Sequence, residues 1–220
     1  MPAGYTKIAD LPAVIPVFPL DGALLLPHGD LPLNIFEPRY LNMVDDALAG
    51  ERIIGMVQTI PGGTRDRPTL AGVGCAGRIT AFSETGDGRY LITLTGLARF
   101  RVEREVLTQT PYRQVMPNFA SFESDLAPPK QDDGFDRVPF LTALKCYLDH
   151  RGMEIDWDTA RDAPCEALVN SLAMALPFDI QEKQALLEAY TVAERRAALM
   201  TLMQIDAAAG IDDDDPPPLQ

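Results

Sequence analysis

Residues 31–40 read LPLNIFEPRY, and within this stretch the pattern changes from that of a strand to that of a helix. The first part is apolar, as in a buried strand. Pro38 suits the first turn of a helix, where its missing N–H loses no partner, and Glu37 before it complements the positive end of the helix dipole. The stretch therefore predicts a strand that leads directly into a helix beginning at Pro38, with Gly50 as its expected end.

Short strands are predicted on both sides of this helix, which makes it one helix inside a β-rich region. The strand over 13–20 contains Pro16 and Pro19, and these restrict it to an edge or to the ends of pairing because proline donates no ladder hydrogen bond. The other strands are expected over 52–58, 73–82, 90–95 and 112–122 and from Arg99, with a hairpin turn at Asp87-Gly88 and a loop over 61–70. This pattern predicts a small antiparallel β-barrel over residues 12–122.

The strand that begins at Arg99 alternates between apolar and charged side chains. One face carries Phe100, Val102 and Val106, and the other carries Arg99, Arg101, Glu103 and Glu105. Such alternation is typical of an antiparallel strand with one buried face and one solvated face. The four charged side chains are therefore expected to point into solvent.

The pattern after the predicted barrel is helical. Residues 123–136 hold prolines, aspartates and almost no apolar residue, which indicates a linker. Residues 137–209 then show apolar stripes at helical spacing, with capping boxes at Asp179 and at Thr191, and they predict a four-helix subdomain. Four aspartates and three prolines dominate residues 210–220, a composition that predicts a disordered acidic tail. The fold class is thus α+β, a barrel followed by helices.

Composition limits the classes of partner. The net charge of −13 opposes binding to nucleic acid, which depends on clustered Lys and Arg, and an acidic surface also discourages anionic membranes. No stretch approaches the roughly 18 uninterrupted apolar residues of a membrane span, so a cytoplasmic protein is expected. The cysteines Cys75, Cys146 and Cys165 form no CxxC pair, and buried free thiols are the expected state.

Several motifs in this sequence resemble a known family. The run Ile15-Pro16-Val17-Phe18-Pro19-Leu20, followed by Phe36-Glu37-Pro38-Arg39-Tyr40, resembles the N-terminal substrate-binding domain of Lon proteases. Residues 74–79, 88–92 and 168–173 are similar to the same family, and the likeness is greatest to bacterial proteins in which this domain is free-standing. The resemblance implies a PUA-like barrel, of the type in pseudouridine synthases and archaeosine transglycosylases, followed by a helical subdomain.

The resemblance also implies a binding function rather than catalysis. In full-length Lon this region helps to recognise unfolded or tagged proteins and supports hexamer assembly, while catalysis lies elsewhere. The sequence contains no G-x-x-x-x-G-K-[ST] phosphate loop and no segment for a Ser/Lys protease domain, so no enzyme activity is expected. His28 and His150 have no nucleophile or second ligand at a useful spacing, so structural or surface roles are expected for them, with no cofactor and no metal.

The expected function is therefore binding to exposed apolar segments of protein partners, as an adaptor or regulator of proteolysis. Phe36, Tyr40 and Met43 are the candidate contact residues, on a groove between barrel and helices. Seven residues that carry the family likeness are expected to be mainly structural: Pro19, Leu20, Glu37, Pro38, Arg39, Gly77 and Arg78. Arg39 is expected to pair with a carboxylate across the fold. The alternatives are a subunit that docks on one folded partner, such as Lon itself, and, least favoured, a small-molecule hydrolase.

Overall fold

The computed structural model describes residues 5–64, 67–129 and 134–212. These ranges contain six strands: β1 (Ile15–Pro19), β2 (Asp30–Ile35), β3 (Ile53–Thr64), β4 (Arg67–Glu84), β5 (Tyr90–Val106) and β6 (Arg113–Asn118). They also contain six α-helices: α1 (Pro38–Ala49), α2 (Arg137–Arg151), α3 (Trp157–Asp162), α4 (Cys165–Ala175), α5 (Ile180–Glu188) and α6 (Val192–Asp212). Two short 3-10 helices span Ile8–Asp10 and Ala120–Leu126. No helix within these ranges is long and apolar enough to cross a lipid bilayer.

The strands form one mixed sheet in the order β2-β5-β4-β3-β1-β6, and β6 also pairs with β5. The hydrogen-bonded neighbours β1, β3, β4, β5 and β6 therefore make a circuit. The prediction of a purely antiparallel arrangement is wrong, because β1 and β3 are parallel. Parallel neighbours need a crossover connection, and here β2 and α1 provide it.

The position of β1 explains how its prolines are accommodated. The strand lies between β3 and β6 rather than at an edge. Pro16 takes part only in the pairing with β6, and Pro19 only in the pairing with β3. Pro19 thus sits at the end of its ladder, as the sequence predicted, whereas the prediction is wrong for Pro16, which is the middle pair of the ladder with β6.

The change from strand to helix occurs where the sequence predicted it. β2 ends at Ile35 and α1 begins at Pro38, with Glu37 at the N-cap position and Gly50 at the C-cap position. The Glu37 side chain makes no capping hydrogen bond. Its charge still lies beside the positive end of the helix dipole.

The predicted loop over 61–70 is wrong, because β3 extends to Thr64 and β4 begins at Arg67. The two strands continue their pairing to the end of this arm, with register shifts between Val57 and Thr59 and between Ile60 and Gly63. Bulges of this kind let glycine-containing segments stay in a ladder, so glycines there do not end the strand. β5 likewise continues through Gly96 as one strand, where the sequence predicted an interruption.

The chain after Asp136 contains five α-helices instead of the predicted four. The additional helix is α3, whose Asp156 side chain accepts hydrogen bonds from the backbone N–H groups of Asp158 and Thr159. Its six residues are too few to show an apolar stripe in the sequence. α6 extends to Asp212, so the segment 210–220 predicted as disordered begins inside a helix, and its residues 213–220 lie outside the described part of the chain.

The helices and the sheet share one apolar core. Leu94 of β5, Met43 of α1, Leu144 of α2 and Leu172 of α4 belong to the same cluster of buried side chains. The first residues of the predicted linker 123–136 also belong to the folded structure, because they complete the 3-10 helix Ala120–Leu126, in which Asp125 and Leu126 are buried. α2 begins at Arg137, where the helical region was predicted to begin.

Candidate functional site

The three candidate contact residues do not form one surface. Met43 is fully buried and Tyr40 is only 6% exposed, whereas Phe36 is 61% exposed beneath the guanidinium of Arg89. The prediction that Met43 lines a groove is therefore wrong. Tyr40, Met43, Val44 and Ala47 form the buried face of α1, and a side chain on the buried face of an amphipathic helix belongs to the core.

A substitution tests whether Met43 acts only in the core. We expect Met43→Leu to lower the free energy of unfolding by less than about 1.5 kcal/mol, because it nearly preserves the volume of the side chain. It should leave the affinity for peptides unchanged, as measured by fluorescence anisotropy. Phe36→Ser is the comparison, since exposed positions usually change stability by no more than about 0.5 kcal/mol. A loss of peptide affinity in Met43→Leu would contradict the assignment.

The structure instead presents a cleft at one end of the sheet, with a volume of ≈ 630 Å³. The end of β1, the start of α1, the β3–β4 arm and the connection from β5 to β6 surround it. Its apolar lining includes Leu20, Tyr40, Pro68, Leu107 and Tyr112. Tyr40 is the one residue of the three predicted contacts that lines this cleft, and it does so with little of its surface exposed.

Leu107 is the most exposed side chain of this lining. It follows the last residue of β5 and is 91% exposed, in a connection whose neighbours are mostly polar. A single exposed leucine is common on protein surfaces, but one on the lining of an open cleft adds apolar surface that a bound segment can cover. Sequence reasoning missed Leu107, although a leucine in the polar turn LTQTP was a detectable signal.

One wall of the cleft carries an excess of positive charge. Arg67 and Arg113 both bind Glu105, at 2.7 Å from Arg67 Nη2 and 3.1 Å from Arg113 Nε. Arg113 Nη1 also donates to the carbonyl oxygen of Pro68 at 2.6 Å. The hydrogen bond from Arg113, supported by that from Arg67, holds the pKa of Glu105 below its usual range. Two guanidinium groups thus share a single carboxylate, and the negative charge of Asp21 also lies on the cleft lining.

Arg39 at the mouth of the cleft pairs locally. Its Nε donates to Glu37 at 2.9 Å, and its guanidinium carbon lies 4.5 Å from the centre of the Tyr40 ring. The prediction that Arg39 pairs with a carboxylate across the fold is wrong, because Arg39 pairs with Glu37, two residues before it in the chain. Both partners are about 43% exposed, and such surface pairs contribute little to stability.

Tyr112 lies on the lining of the cleft and connects this wall to α1. Its hydroxyl donates to Asp46 Oδ2 at 2.7 Å. Burial, together with this hydrogen bond to a carboxylate, raises the pKa of Tyr112 to about 12. The phenol therefore remains protonated at all ordinary pH values, and the wall keeps its hydrogen bond to the helix.

The seven residues of the family likeness have two kinds of position. Pro19, Leu20 and Arg39 line the cleft, while Glu37 and Pro38 begin α1 beside it. The other two lie away from the cleft. A Cβ at Gly77 would come within 2.6 Å of Leu25 Cδ2, and the Arg78 guanidinium carbon lies 5.7 Å from the centre of the Tyr5 ring.

A second cleft of ≈ 410 Å³ does lie between the sheet and the helices, but with different residues from those predicted. His28 Nδ1 is 2.9 Å from Glu166 Oε1 of α4, so the Nδ1–H donates to a carboxylate. Arg99 and Asp125 form a buried ion pair on the same cleft. The prediction that Arg99 faces solvent is wrong, because the 3-10 helix Ala120–Leu126 and the segment after α5 cover that face of β5.

His150 and the three cysteines are the other side chains that the sequence analysis considered for chemistry. His150 lies 4.0 Å from Asp206, in line with a structural role. Cys75 and Cys165 are buried as predicted, but Cys146 is exposed, since it lies on the outer side of α2. Burial raises the pKa of the Cys75 thiol. Among the described residues, no group of three or more His, Cys, Asp and Glu side chains could hold a metal ion.

Solved structures share this fold. The Lon N-terminal domain protein from Xanthomonas campestris superposes with a TM-score of 0.61 at 23% identity, over 86% of this chain and 97% of that one. The N-terminal domain of the Mycobacterium avium complex Lon protease superposes with a TM-score of 0.61 at 17% identity, with the same coverage of 86% and 97%. These two likenesses show a Lon N-terminal domain fold.

Curated relatives match in sequence. The Lon protease of Flavobacterium johnsoniae is 25% identical over 211 residues, which are 90% of this chain and 24% of the relative. The Lon protease of Anaeromyxobacter dehalogenans is 32% identical over 105 residues, 47% of this chain and 12% of the relative. This chain therefore spans a quarter or less of these relatives. The family model of the ATP-dependent protease La (LON) substrate-binding domain matches residues 14–204. The chain belongs to the Lon substrate-binding domain family.

Proposed function

We propose that this chain is a non-catalytic protein-binding module and that the cleft at the end of the sheet binds exposed apolar segments of partner proteins. The observation that carries this proposal is Leu107, an almost fully exposed leucine at the edge of an open cleft with tyrosine and proline side chains on its walls. The substrate-binding role of the family supports the same class of function.

The size and composition of the cleft suit a short extended segment. A volume of ≈ 630 Å³ lies within the range of about 300–1,000 Å³ for ligand sites, enough for a few apolar side chains. Arginine and threonine side chains at the rim supply donors for the carbonyl groups of a bound backbone. Burial of one leucine side chain is worth about 1.5–3 kcal/mol, so Leu107 alone can contribute a large part of a modest affinity.

The wider role follows from the same class of function. We place the module in the cytoplasm, as an adaptor or regulator of proteolysis whose partners are proteins rather than nucleic acid or membrane. The circuit of paired strands supports a PUA-like barrel as its scaffold. The alternative role, docking on one folded partner such as Lon protease, requires no affinity for isolated apolar peptides, and this difference separates the two roles in experiment.

Leu107→Ser should weaken binding of an apolar probe peptide about tenfold, which corresponds to the loss of about 1.4 kcal/mol of apolar contact. The probe is a fluorescein-labelled 12-residue peptide of zero net charge with leucine and phenylalanine side chains, and fluorescence anisotropy measures its dissociation constant. Because Leu107 is exposed, the substitution should leave the stability of the fold unchanged.

Leu91→Ser is the matched control for this substitution. Leu91 is also a surface leucine, 46% exposed, but it lies on β5 away from the cleft. Equal affinity of the probe for the original chain and for Leu107→Ser, with unchanged circular dichroism, would rule out the cleft as the binding site. Absence of any probe binding by the original chain would favour the docking alternative.

A further inference from the structure

We propose that two copies of this chain form a weak symmetric dimer by packing together one face of the sheet, the solvent-facing side of β2, β5 and β4. This surface is the outer face. Three features carry the inference: an uncharged and partly apolar middle, opposite charges at the two ends, and an extent that suits a transient contact. The inference is independent of the proposed function, because the cleft at the end of the sheet has a separate lining.

Strand register defines the outer face. Side chains alternate along a strand, so Leu91 and Thr93 point outward while Ile92 between them is buried. Residues opposite them on the neighbouring strands share their side of the sheet. The outer face therefore contains two rows across β2, β5 and β4, which are Asn34, Leu91, Ser83 and Pro32, Thr93, Ala81.

The middle of the outer face is uncharged and partly apolar. Leu91 is 46% exposed, and Pro32 and Ala81 in the next row are exposed as well. A shallow depression of ≈ 450 Å³ lies between these side chains. Exposed apolar surface of this kind marks contact sites on proteins. Because the chain carries a net charge of −13, such a face also lets two copies meet without like charges in its middle.

Opposite charges lie at the two ends of the outer face. Asp30 is exposed at one end, where it accepts a hydrogen bond from Thr95 Oγ1 at 2.6 Å but forms no ion pair with a described residue. Arg89 lies at the other end, six residues before Thr95, which is about 20 Å along an extended strand. Its guanidinium carbon is 5.8 Å from the ring centre of Phe36, and its Nε is 2.9 Å from Asp87, which offsets part of its charge.

A two-fold axis uses these charges twice. In a symmetric dimer with antiparallel strands, the Asp30 end of each copy lies over the Arg89 end of the other, so two intermolecular ion pairs form. An axis along the strands would place the two Arg89 side chains face to face, which like-charge repulsion opposes. Arg78 also lies at the Asp30 end, but on β4, two strands away, with its guanidinium carbon 5.7 Å from the ring centre of Tyr5. The charge pattern therefore favours a second copy in the antiparallel orientation.

The extent of the outer face indicates weak association. Three strands about 4.8 Å apart and about 20 Å long present roughly 300 Å² of outline. Even with the relief of the side chains, two copies should bury less than the about 1,200 Å² at the lower limit of a standard interface. Contacts of this size are transient, so we expect a dissociation constant of about 100 μM.

Sedimentation velocity of the full chain between about 5 and about 500 μM should show a monomer that becomes mostly dimer. Asp30→Lys and Arg89→Glu each place like charges at both contacts, so each should weaken association at least about tenfold. Asp30→Lys also makes the net charge of −13 less negative by two units, so a general loss of repulsion would act in the opposite direction. Asp158→Lys is the matched control, because Asp158 is 90% exposed on α3 and the change in charge is the same.

An equimolar mixture of the Asp30→Lys and Arg89→Glu chains should associate again, because it has opposite charges at both contacts. A fluorescein label on one of the two chains distinguishes this mixed dimer from a dimer of identical chains. Leu91→Glu puts a charge in the middle of the outer face and should also prevent dimer formation. Leu107→Ser, at an exposed leucine on the cleft, is its control and should leave the dimer unchanged. Circular dichroism of every variant shows whether the fold is intact.

Three results would overturn the inference. The first is a monomer at every concentration. The second is a dimer that persists in both Asp30→Lys and Leu91→Glu, since the copies would then meet at another surface. The third is a mixture of the two charge variants that remains monomeric, which would contradict the antiparallel ion pairs. Each result leaves the binding of the probe peptide to the cleft as a separate measurement.

Discussion

Replacement of Asp125 by alanine is expected to lower the free energy of unfolding by about 3–5 kcal/mol, because it leaves the charge of Arg99 buried without its partner. The two side chains are 3% and 7% exposed. Arg99 Nε and Nη2 each donate to one oxygen of Asp125 at 2.8 Å, and the backbone N–H of Arg99 donates to the same carboxylate at 3.0 Å. Removal of Asp125 therefore breaks three hydrogen bonds at once.

The effect should extend to the contact between sheet and helices. Arg99 Nη1 donates to the carbonyl oxygens of Leu187 at 3.0 Å and of Ala189, and Nη2 donates to that of Tyr190 at 3.1 Å. These carbonyls belong to the end of α5 and the connection to α6. The Asp125 carboxylate orients the guanidinium that holds them, so its loss should loosen the helices from β5 as well as destabilise the fold.

Urea denaturation followed by circular dichroism measures the change. Asp158→Ala is the control, since Asp158 pairs with Arg161 at 2.7 Å on the surface and its loss should cost no more than about 1 kcal/mol. The double substitution Arg99→Met with Asp125→Leu should regain part of the stability, because it removes the unpaired charge together with its partner. A loss below about 1 kcal/mol in Asp125→Ala would show that Arg99 reaches water or another acceptor.

Local patterns predicted much of this fold because they act over a few residues. The change from strand to helix at Pro38 depends on a proline that suits the first turn of a helix, and α1 begins at that residue. The capping box at Asp179 forms as predicted, with Glu182 returning a hydrogen bond to the Asp179 backbone. The motif likeness to the Lon domain also led to the family that the chain belongs to.

The errors concern what covers a surface, which no short pattern contains. Alternation placed Arg99 on the outer face of its strand, and this was right, but a distant segment of chain covers that face. The family likeness and the adaptability of methionine suggested Tyr40 and Met43 as contact residues, but neither says which side of α1 meets the sheet. The cleft itself brings together residues from 19 to 113, so its lining could be found only after the strands were paired.

Close approach of two backbone segments is another feature that only the structure shows, and Gly96 is its clearest case. A Cβ atom at Gly96 would overlap the carbonyl oxygen of Leu26 and lie 2.8 Å from its carbonyl carbon. Gly96 N–H donates to the Gly29 carbonyl oxygen at 2.8 Å, and His28 N–H donates to that of Gly96 at 3.0 Å. The turn at residues 26–29 is thus hydrogen-bonded directly onto β5, with no room for a side chain.

Gly96→Ala should therefore cost more than about 3 kcal/mol of the free energy of unfolding, since backbone atoms, unlike the end of a flexible side chain, cannot move aside cheaply. Gly72→Ala on β4 is the matched control, because a Cβ there meets no atom within 4 Å. Replacement of a strand glycine by alanine at such a site should stabilise the fold slightly, by about 0.5–1 kcal/mol.

Gly96 also holds the turn that carries His28. The contact between His28 and Glu166 should therefore be lost in Gly96→Ala even where the fold survives, and the imidazole resonances of His28 in an NMR spectrum would report this loss. Equal stability of the two variants would mean that the turn at residues 26–29 can separate from β5 at little cost.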